Sequence, residues 1–321
     1  MEYRRLGLTD LCVSAVGFGA WPISGMSSVG VNDADSLATI AACLDAGVNF
    51  FDTAYGYGEQ GESERLLARA LGSRRDEVVL ATKGGIEWGP GRQQVLDGSP
   101  ARLRQQCETS LERLETDCVD LLYLHAPDPR TPVAESAAEL ARLMQEGKAR
   151  AIGASNCTVE QLAEFASACP LAAVQPAYNM LQRDIEQDLV PWCVAQGVAI
   201  VVYWPLLKGL LAGKLARDHV FPPGDGRAKY PMFQGAEWQK NQDFVDQLRP
   251  IAAEAGLSVA QLVINWTVHQ PGITSALCGA KRPDQAHENA GGAAAPLSAA
   301  VCAKIDAALA QRGTPQVRLP V

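Results

Sequence analysis

The sequence predicts an α/β fold of eight strand–helix units. Short apolar runs rich in β-branched residues alternate with longer amphipathic segments along most of the 321 residues. Nearly continuous apolar runs are typical of strands that are buried on both faces of a parallel sheet. Capping residues precede many of the amphipathic segments and glycines follow many of them, as is typical at the ends of helices. This alternation alone fits both a closed barrel and an open doubly wound sheet.

The first strand is predicted at residues 16–18, after a short hairpin within residues 4–13. The other strands are predicted at residues 48–51, 78–81, 119–124, 149–152, 172–174, 198–203 and 273–277. Helices are predicted at residues 34–45, 62–71, 100–114, 133–146, 158–168, 186–196, 258–269, 283–290 and 297–310. Asn32 is a suitable N-cap, Pro100 suits a first helical turn, and Gly47 follows a helix end.

Residues 208–235 interrupt this alternation, because they are rich in Gly and Pro and show little periodicity. Loops of this length in compact domains are usually functional lids or disordered. No low-complexity linker divides the chain, so residues 1–321 are expected to form a single domain.

The composition excludes several classes of protein. The sum of 28 Lys and Arg against 36 Asp and Glu gives a net charge of −8 at pH 7. Without a basic stripe, nucleic acid is not an expected partner, although an anionic small molecule could still bind through local cations. The 47% hydrophobic and 20% charged residues exclude disordered and collagen-like chains.

The nine cysteines are scattered along the chain without a C-x-x-C pair. This arrangement favours buried thiols in a reducing cytosol over a disulfide framework or a zinc site. The longest apolar runs are far shorter than the roughly 20 residues that cross a bilayer, and no apolar segment follows the charged N-terminus. We therefore expect a cytoplasmic protein that does not bind a membrane.

The sequence contains no complete Rossmann or P-loop nucleotide-binding motif. The Gly17-Phe18-Gly19 segment lacks the third glycine and the immediate helix of a Rossmann loop. Residues 209–215 resemble a P-loop but are one residue short and lack the Ser or Thr after Lys214. The four histidines form no ligand cluster, so no metal is expected.

Three ionisable residues stand where three successive predicted strands end: Asp52, Lys83 and His125. In parallel α/β folds such strand ends meet on one face, where the chemistry takes place. Tyr57 follows in a glycine-flanked loop that can fold over that face. Taken singly, the Asp suits a turn, the Lys suits solvent and the His suits a structural hydrogen bond.

Together these four groups are chemically complementary. An ammonium favours ionisation of a nearby phenol, a carboxylate keeps that ammonium charged, and an imidazole can orient a carbonyl oxygen.

The segment Asp52-Thr53-Ala54-Tyr55-Gly56-Tyr57-Gly58 resembles the D-T-A-x-x-Y-G signature of the aldo-keto reductase superfamily. An ordered set of further matches, more specific than any one motif, covers almost the whole chain. These are Gly17-Phe18-Gly19-Ala20-Trp21, Ala81-Thr82-Lys83, Leu122-Tyr123-Leu124-His125, Gly153-Ala154-Ser155-Asn156, Val174-Gln175-Pro176-Ala177-Tyr178-Asn179, Gly279-Ala280-Lys281 and Gln285-Ala286-His287-Glu288-Asn289.

The resemblance implies a (β/α)8 TIM barrel with a short N-terminal β-hairpin and a long loop after strand seven. It also implies binding of NADP(H) without a Rossmann domain. It implies a catalytic tetrad of Asp52, Tyr57, Lys83 and His125, in which Tyr57 is the general acid. By the same resemblance, Tyr203 would stack on the nicotinamide ring. Its carboxamide would be held by Ser155, Asn156 and Gln175.

The long loop would wrap the pyrophosphate through Leu206, Lys208, Gly209, Leu211, Gly213 and Lys214. Arg227 would either clamp the same phosphates or remain a solvated loop residue. Gln285, Glu288 and Asn289 would contact adenine and ribose. The remaining expected cofactor contacts are Gly19, Ala20, Trp21, Asp52, Trp204, Pro205, Gly279 and Ala280.

Lys281 and Arg282 place cations beside the expected adenosine end of the cofactor. A 2′-phosphate requires a cation, whereas a bare 2′-hydroxyl requires an acceptor, so NADP(H) is expected in preference to NAD(H). Simple solvation of Arg282 is the alternative.

Trp21, Tyr55, Trp88 and Trp204 are candidates for an apolar wall around a small carbonyl substrate, or are ordinary packing residues. The leading hypothesis is NADPH-dependent reduction of an aldehyde or ketone, or the reverse alcohol oxidation. One alternative is a cofactor-sensing regulatory subunit that resembles potassium-channel β subunits. Another is an aldolase that forms a Schiff base on Lys83. The choice between a monomer and a homo-oligomer stays open.

Overall fold

The barrel predicted by resemblance is present, and its strands alternate with helices along the chain. A computed structural model describes residues 1–26 and 29–316. Its strands are β1 (Tyr3–Arg5), β2 (Cys12–Ser14), β3 (Val16–Gly19), β4 (Phe50–Asp52), β5 (Val79–Gly84), β6 (Ile86–Trp88), β7 (Gln94–Leu96), β8 (Val119–Leu124), β9 (Ala149–Ser155), β10 (Ala173–Gln175), β11 (Ala199–Tyr203) and β12 (Ile273–Cys278).

Eight of these strands pair in parallel and close into a barrel in the order β3-β4-β5-β8-β9-β10-β11-β12. Closure comes from β12, which pairs with β3 through Ala276 opposite Val16 and Cys278 opposite Phe18. The barrel strands are buried almost throughout, which explains their continuous apolar character. The C-terminal ends of neighbouring strands therefore lie side by side on one rim.

The helices surround the barrel and follow the predicted segments closely, with one addition. They are α1 (Asp33–Asp45), α2 (Glu62–Leu71), α3 (Pro100–Leu114), α4 (Val133–Gln145), α5 (Val159–Ala168), α6 (Leu189–Gln196), α7 (Gly235–Glu254), α8 (Val259–Val268), α9 (Pro283–Gly291) and α10 (Ala299–Arg312). Their N-termini show why the boundaries fall there: Asn32 caps α1, and Thr158 and Ser258 form capping boxes with α5 and α8.

Helix α7 was not among the predicted helices. No side chain caps its N-terminus and Pro250 lies inside it, so the usual start signal is missing, although Phe244, Val245, Leu248 and Ile251 have helical spacing. The predicted helix at residues 186–196 is shorter in the structure, because a 3₁₀ turn (Asp184–Glu186) precedes α6 and the Asp188 carboxylate caps it.

The predicted hairpin within residues 4–13 is formed by β1 and β2, which pair antiparallel. A second antiparallel hairpin, formed by β6 and β7 just beyond β5, was not predicted, because each strand has only three residues. The segment 208–235 contains short 3₁₀ turns rather than regular structure, as its composition suggested.

Within the part of the chain that the structure describes, no single helix combines the length and apolarity needed to cross a bilayer.

Candidate active site

An ion pair between Lys83 and Asp52 lies at the C-terminal rim of the barrel. The two side chains are 0% and 2% exposed, and Lys83 Nζ donates to Asp52 Oδ1. Lys83 Nζ also donates to the Thr53 carbonyl oxygen at 2.8 Å, while Gln175 Nε2 donates to Asp52 Oδ2 at 2.8 Å. Burial lowers the pKa of Lys83 and raises that of Asp52, and the charge of each partner opposes the shift of the other.

The Tyr57 hydroxyl lies 3.4 Å from Lys83 Nζ. Two backbone hydrogen bonds, from Tyr57 N to Ala54 O (3.0 Å) and from Ser63 N to Tyr57 O (3.2 Å), hold its loop. Burial, and then the charge of Asp52, raises the pKa of Tyr57 well above that of an ordinary phenol. The Lys83 ammonium lies close enough to stabilise a phenolate, but burial and the charge of Asp52 outweigh it while the proton is on Tyr57. Tyr57 is therefore a neutral phenol near pH 7 and can donate a proton.

His125 packs its ring edge against Tyr57, with the ring centroids 5.7 Å apart. Burial, and then the charge of Lys83, lowers the pKa of His125 well below its usual value, so the imidazole is neutral near pH 7. Its Nδ1 atom is buried and has no hydrogen-bond partner among residues 1–26 and 29–316. A neutral imidazole carries one N–H group, which can donate to a carbonyl oxygen beside Tyr57.

The residues predicted to hold a carboxamide form a connected group beside His125. Asn156 Nδ2 donates to the His125 carbonyl oxygen at 2.9 Å, and the Tyr203 hydroxyl donates to Asn156 Oδ1 at 2.7 Å. Ser155 Oγ donates to the Gln175 carbonyl oxygen at 2.8 Å. The ends of β8, β9, β10 and β11 are thus joined by side-chain hydrogen bonds.

The turn that follows β11 has an unusual backbone. Trp204, Leu207 and Lys208 have φ angles of 62°, 44° and 56°, and Gly209 has a φ of 88°. The Lys208 ammonium lies over the Trp204 and Tyr230 rings, 4.3 Å and 4.9 Å from their centroids. Four other residues expected to contact the cofactor belong to this segment. Leu211 lies in the 3₁₀ turn, Leu206 and Gly213 stand at its two ends, and Pro205 precedes it.

Arg227 lies against this turn. Its guanidinium pairs with Asp225 at 2.7 Å, and Nη1 donates to the Lys208 carbonyl oxygen at 3.4 Å. The side chain is 28% exposed, so the structure places Arg227 within the loop rather than in open solvent.

Lys281 and Arg282 follow β12, where the adenosine end was expected. Lys281 is half-buried, and burial followed by the charge of Arg227 lowers its pKa. Gln285 Oε1 accepts a hydrogen bond from the Lys281 backbone N–H at 2.8 Å. Arg282 is exposed and pairs with Asp284 at 3.1 Å. Arg227 and Lys281 thus bring positive charge from two segments of the chain to one place.

The remaining residues predicted at this end connect neighbouring segments. Lys214 Nζ pairs with Glu288 at 3.1 Å, which joins the turn after β11 to α9. Asn289 Nδ2 donates to the Gly279 carbonyl oxygen at 3.2 Å. A Cβ atom on Gly279 would lie 2.5 Å from Pro22 Cγ, so the chain after β12 packs closely against the chain after β3. Ala280, the next residue, is buried.

Gly19 and Ala20 support the position of Asp52. Gly19 pairs with Asp52 in the barrel, and the Ala20 N–H donates to the Asp52 carbonyl oxygen at 2.8 Å.

Trp21 and Trp88 form an aromatic wall with Tyr57. The Trp21 ring centroid lies 5.0 Å from that of Tyr57 and 6.3 Å from that of Trp88. Trp88 Nε1 donates to the Gly56 carbonyl oxygen at 2.6 Å, which fixes this ring on the loop that carries Tyr57.

The other two predicted wall residues make different contacts. The Tyr55 ring packs over the Arg113 guanidinium at 4.6 Å, and the Trp204 ring packs edge-on against Tyr203 at 5.3 Å.

Several residues at the site were not found from the sequence. Thr53 contributes a carbonyl oxygen to Lys83, Tyr230 a ring to Lys208, and Asp225 a carboxylate to Arg227. The Asp225-Gly226-Arg227 spacing signals a turn, but a backbone carbonyl and a distant ring leave no signal in a single sequence.

Comparison with known proteins decides the family. The sequence matches the model of the aldo/keto reductase family over residues 15–310. The chain belongs to the aldo/keto reductase family. Its function is therefore oxidoreduction between carbonyl compounds and alcohols with a nicotinamide cofactor, and the (β/α)8 barrel is the expected fold.

Named relatives cover most of this aldo/keto reductase. It is 37% identical to the aldo-keto reductase YhdN of Bacillus subtilis (strain 168), over 89% of this chain and 86% of that protein. It is 36% identical to the NADH-specific methylglyoxal reductase of Escherichia coli (strain K12), over 90% of this chain and 92% of that protein. The glycerol dehydrogenase AKR11B4 from Gluconobacter oxydans has a similar structure, with a TM-score of 0.90 and 34% identity over 99% of this chain and 98% of that one.

The donor set fits the nicotinamide cofactor that the family uses. Amide and hydroxyl groups at Ser155, Asn156 and Gln175 suit a carboxamide, and they lie beside His125 on the rim. Cations from Lys208 in the turn after β11 and from Arg227 against it suit a diphosphate, and Lys281 after β12 provides a cation at the expected adenosine end.

The ion pair at the rim leads to a stability prediction. Replacing Lys83→Met leaves the Asp52 carboxylate buried without its partner, which should cost about 3–5 kcal/mol at neutral pH. The Asp52→Asn/Lys83→Met double variant should recover most of this loss, since Gln175 can still donate to an amide oxygen. Thermal or urea unfolding of both variants measures the difference.

The loss in Lys83→Met should also shrink as the pH falls. Burial raises the folded-state pKa of the unpaired Asp52 above its unfolded value of about 4. As the pH falls through the raised pKa, the folded carboxylate takes up a proton and the penalty for a buried charge decreases. Below about pH 4 the carboxyl is protonated in both states and this penalty is absent. A double variant as unstable as the single one would contradict the importance of the ion pair.

Proposed function

We propose that this protein reduces small aldehydes and ketones, or oxidises the corresponding alcohols, with Tyr57 as the general acid. The observation that carries the proposal is the position of a neutral phenol 3.4 Å from the Lys83 ammonium and edge-on to a neutral imidazole. When bound, NADPH or NADH supplies the hydride.

Tyr57 donates its hydroxyl proton to the carbonyl oxygen as negative charge develops there. The carbonyl carbon gains the hydride and the carbonyl oxygen gains the Tyr57 proton, so the product is an alcohol and Tyr57 is left as a phenolate. Lys83 stabilises this phenolate, and Asp52 keeps the Lys83 amine charged. The N–H group of His125 orients the carbonyl oxygen. Solvent returns the proton to Tyr57 after the alcohol leaves.

The aromatic wall supports a small substrate. Trp21 packs against the proposed acid Tyr57, Trp88 packs against Trp21, and the Trp88 indole N–H donates to the Gly56 carbonyl oxygen. Two relatives carry names that refer to three-carbon compounds, methylglyoxal and glycerol. We therefore propose short aldehydes and ketones with a neighbouring oxygen as the substrate class.

The alternatives are not favoured. Lys83 Nζ has three acceptors around it, namely Asp52 Oδ1, the Thr53 carbonyl and the Tyr57 hydroxyl, so it has no lone pair aimed at a carbonyl carbon for Schiff-base formation. The named relatives are reductases and a dehydrogenase, which favours turnover over a purely regulatory role.

Removing the proposed acid tests the mechanism. Tyr57→Phe should lower kcat for methylglyoxal or glyceraldehyde reduction by about 10²–10⁴-fold, because general acid catalysis contributes that much. Binding of NADPH, measured by fluorescence quenching, should remain nearly unchanged. Tyr178→Phe removes another partly buried hydroxyl, bonded to Glu186, and should keep wild-type kcat. Full turnover by Tyr57→Phe would refute this assignment.

We further propose a preference for NADPH, in which Lys281 and Arg282 bind the 2′-phosphate. Lys281 is half-buried near the charge of Arg227, and the exposed Arg282 follows it directly in the chain. An Escherichia coli relative is named NADH-specific, so cofactor choice varies among similar chains.

Changing these cations should alter cofactor choice. Loss of a charge-assisted contact costs about 1.5–3 kcal/mol, so Lys281→Met should raise KM for NADPH by roughly 10–100-fold, with a smaller increase for the exposed Arg282→Met. KM for NADH, measured on the same preparations, serves as the internal control and should change little. Equal changes for both cofactors would show that these side chains do not recognise the 2′-phosphate.

A further inference from the structure

A second buried ion pair lies behind the loop that carries Tyr57. Arg113 on α3 and Glu64 on α2 approach to 3.2 Å, with side chains 12% and 0% exposed. The other carboxylate oxygen, Glu64 Oε1, accepts a hydrogen bond from Thr82 Oγ1 at 2.8 Å. Thr82 immediately precedes Lys83 in β5. The pair is therefore connected to the strand that holds the Lys83 ammonium.

Arg113 also contacts the Tyr57 loop at two separated points. Its Nη1 atom donates to the Tyr55 carbonyl oxygen at 3.1 Å, and its guanidinium packs over the Tyr55 ring at 4.6 Å. At the far end of the loop, a Cβ atom on Gly61 would lie only 2.5 Å from Arg113 Cδ. Tyr57 lies between these two points, in a segment without regular secondary structure.

The position of Tyr57 relative to Lys83 depends on the backbone of this loop. The Tyr55 N–H donates to the Lys83 carbonyl oxygen at 3.0 Å, so Tyr55 is bonded to β5 on one side and to Arg113 on the other. An apolar side chain at position 113 could fill the same volume against Gly61, but it could not donate to the Tyr55 carbonyl. A hydrophobic replacement of a buried ion pair is often at least as stable, so stability alone does not explain the charges.

We propose that Arg113 is a positioning residue for carbonyl reduction. Paired with Glu64, it fixes the loop between Tyr55 and Gly61 and thereby keeps the Tyr57 hydroxyl beside Lys83 and the substrate oxygen. This inference rests on the proposed role of Tyr57 as the acid. Arg113 itself does not contact the reacting atoms.

Kinetics of Arg113→Met test the proposal. Loosening the acid by about 1 Å should lower kcat on the order of 10–100-fold, while the Kd for NADPH stays within about twofold. The matched control is Arg104→Met, on the same helix. Arg104 pairs with Glu139 and Glu146 at 2.7 Å each and should keep wild-type kcat after replacement.

A double-mutant cycle separates positioning from a general structural effect. If Arg113 acts through Tyr57, adding Arg113→Met to Tyr57→Phe should cause no further loss of the residual turnover, measured at high enzyme concentration. A second loss of the same size in the Tyr57→Phe background would overturn the proposal. If Tyr57→Phe is slow but Arg113→Met has wild-type kcat, only the role of Arg113 fails. If Tyr57→Phe itself is fast, the proposed function fails.

Arg113→Lys provides the test if Arg113→Met does not fold. Lysine keeps the charge opposite Glu64 but cannot both donate to the Tyr55 carbonyl and stack on the Tyr55 ring. We expect an intermediate kcat with unchanged NADPH binding. A folded Arg113→Lys variant with wild-type kcat would contradict the proposal.

Discussion

An ammonium and a carboxylate share the buried rim of the barrel, and the rest of the site is arranged around them. Removing Lys83 and Asp52 from water costs several kcal/mol for each ion, and this cost is offset only where every donor and acceptor is satisfied. The barrel provides that environment because β4 and β5 are neighbours, so the two side chains meet directly. Thr53 and Gln175 complete the hydrogen bonds.

This ion pair determines the protonation of the groups above it. The Lys83 charge lowers the pKa of His125, and the Asp52 charge raises the pKa of Tyr57, each in addition to the larger effect of burial. Both rings are therefore neutral near pH 7. A neutral phenol and a neutral imidazole are both hydrogen-bond donors, which is what a carbonyl oxygen gaining negative charge requires. Trp21 and Trp88 then add the aromatic wall beside Tyr57, and the segments after β11 and β12 add the cations.

Much of this arrangement could be predicted from the sequence, for physical reasons that differ among residues. Asp52, Lys83 and His125 directly follow or end apolar runs, and strand ends of parallel sheets converge on one face. Closure of the barrel could not be derived from alternation, because the pairing of β12 with β3 joins segments that are far apart in the chain. Resemblance to a family supplied that prediction, and the structure confirms it.

Other features left no signal in the sequence. Tyr55 resembles a pocket residue because it is aromatic and close to Tyr57, yet its ring packs on Arg113, which comes from α3. Helix α7 has no capping side chain and contains Pro250, and its buried apolar residues pack against α8 and α10. The contacts of Lys208 with Trp204 and Tyr230 form where Trp204 and Lys208 have left-handed backbone angles. Neither of these two residues is a glycine, so the sequence did not indicate such a turn.

The most direct test of the central interaction is the ionisation of Tyr57 itself. Alkaline titration of wild type and Tyr57→Phe, followed by the ultraviolet difference spectrum of tyrosinate, isolates this one phenol. We expect Tyr57 to ionise well above the ordinary phenol value of about 10, because burial and then the charge of Asp52 disfavour the phenolate. Ionisation at or below about 10 would contradict this expectation, since the Lys83 charge would then outweigh both burial and the charge of Asp52 at the phenol.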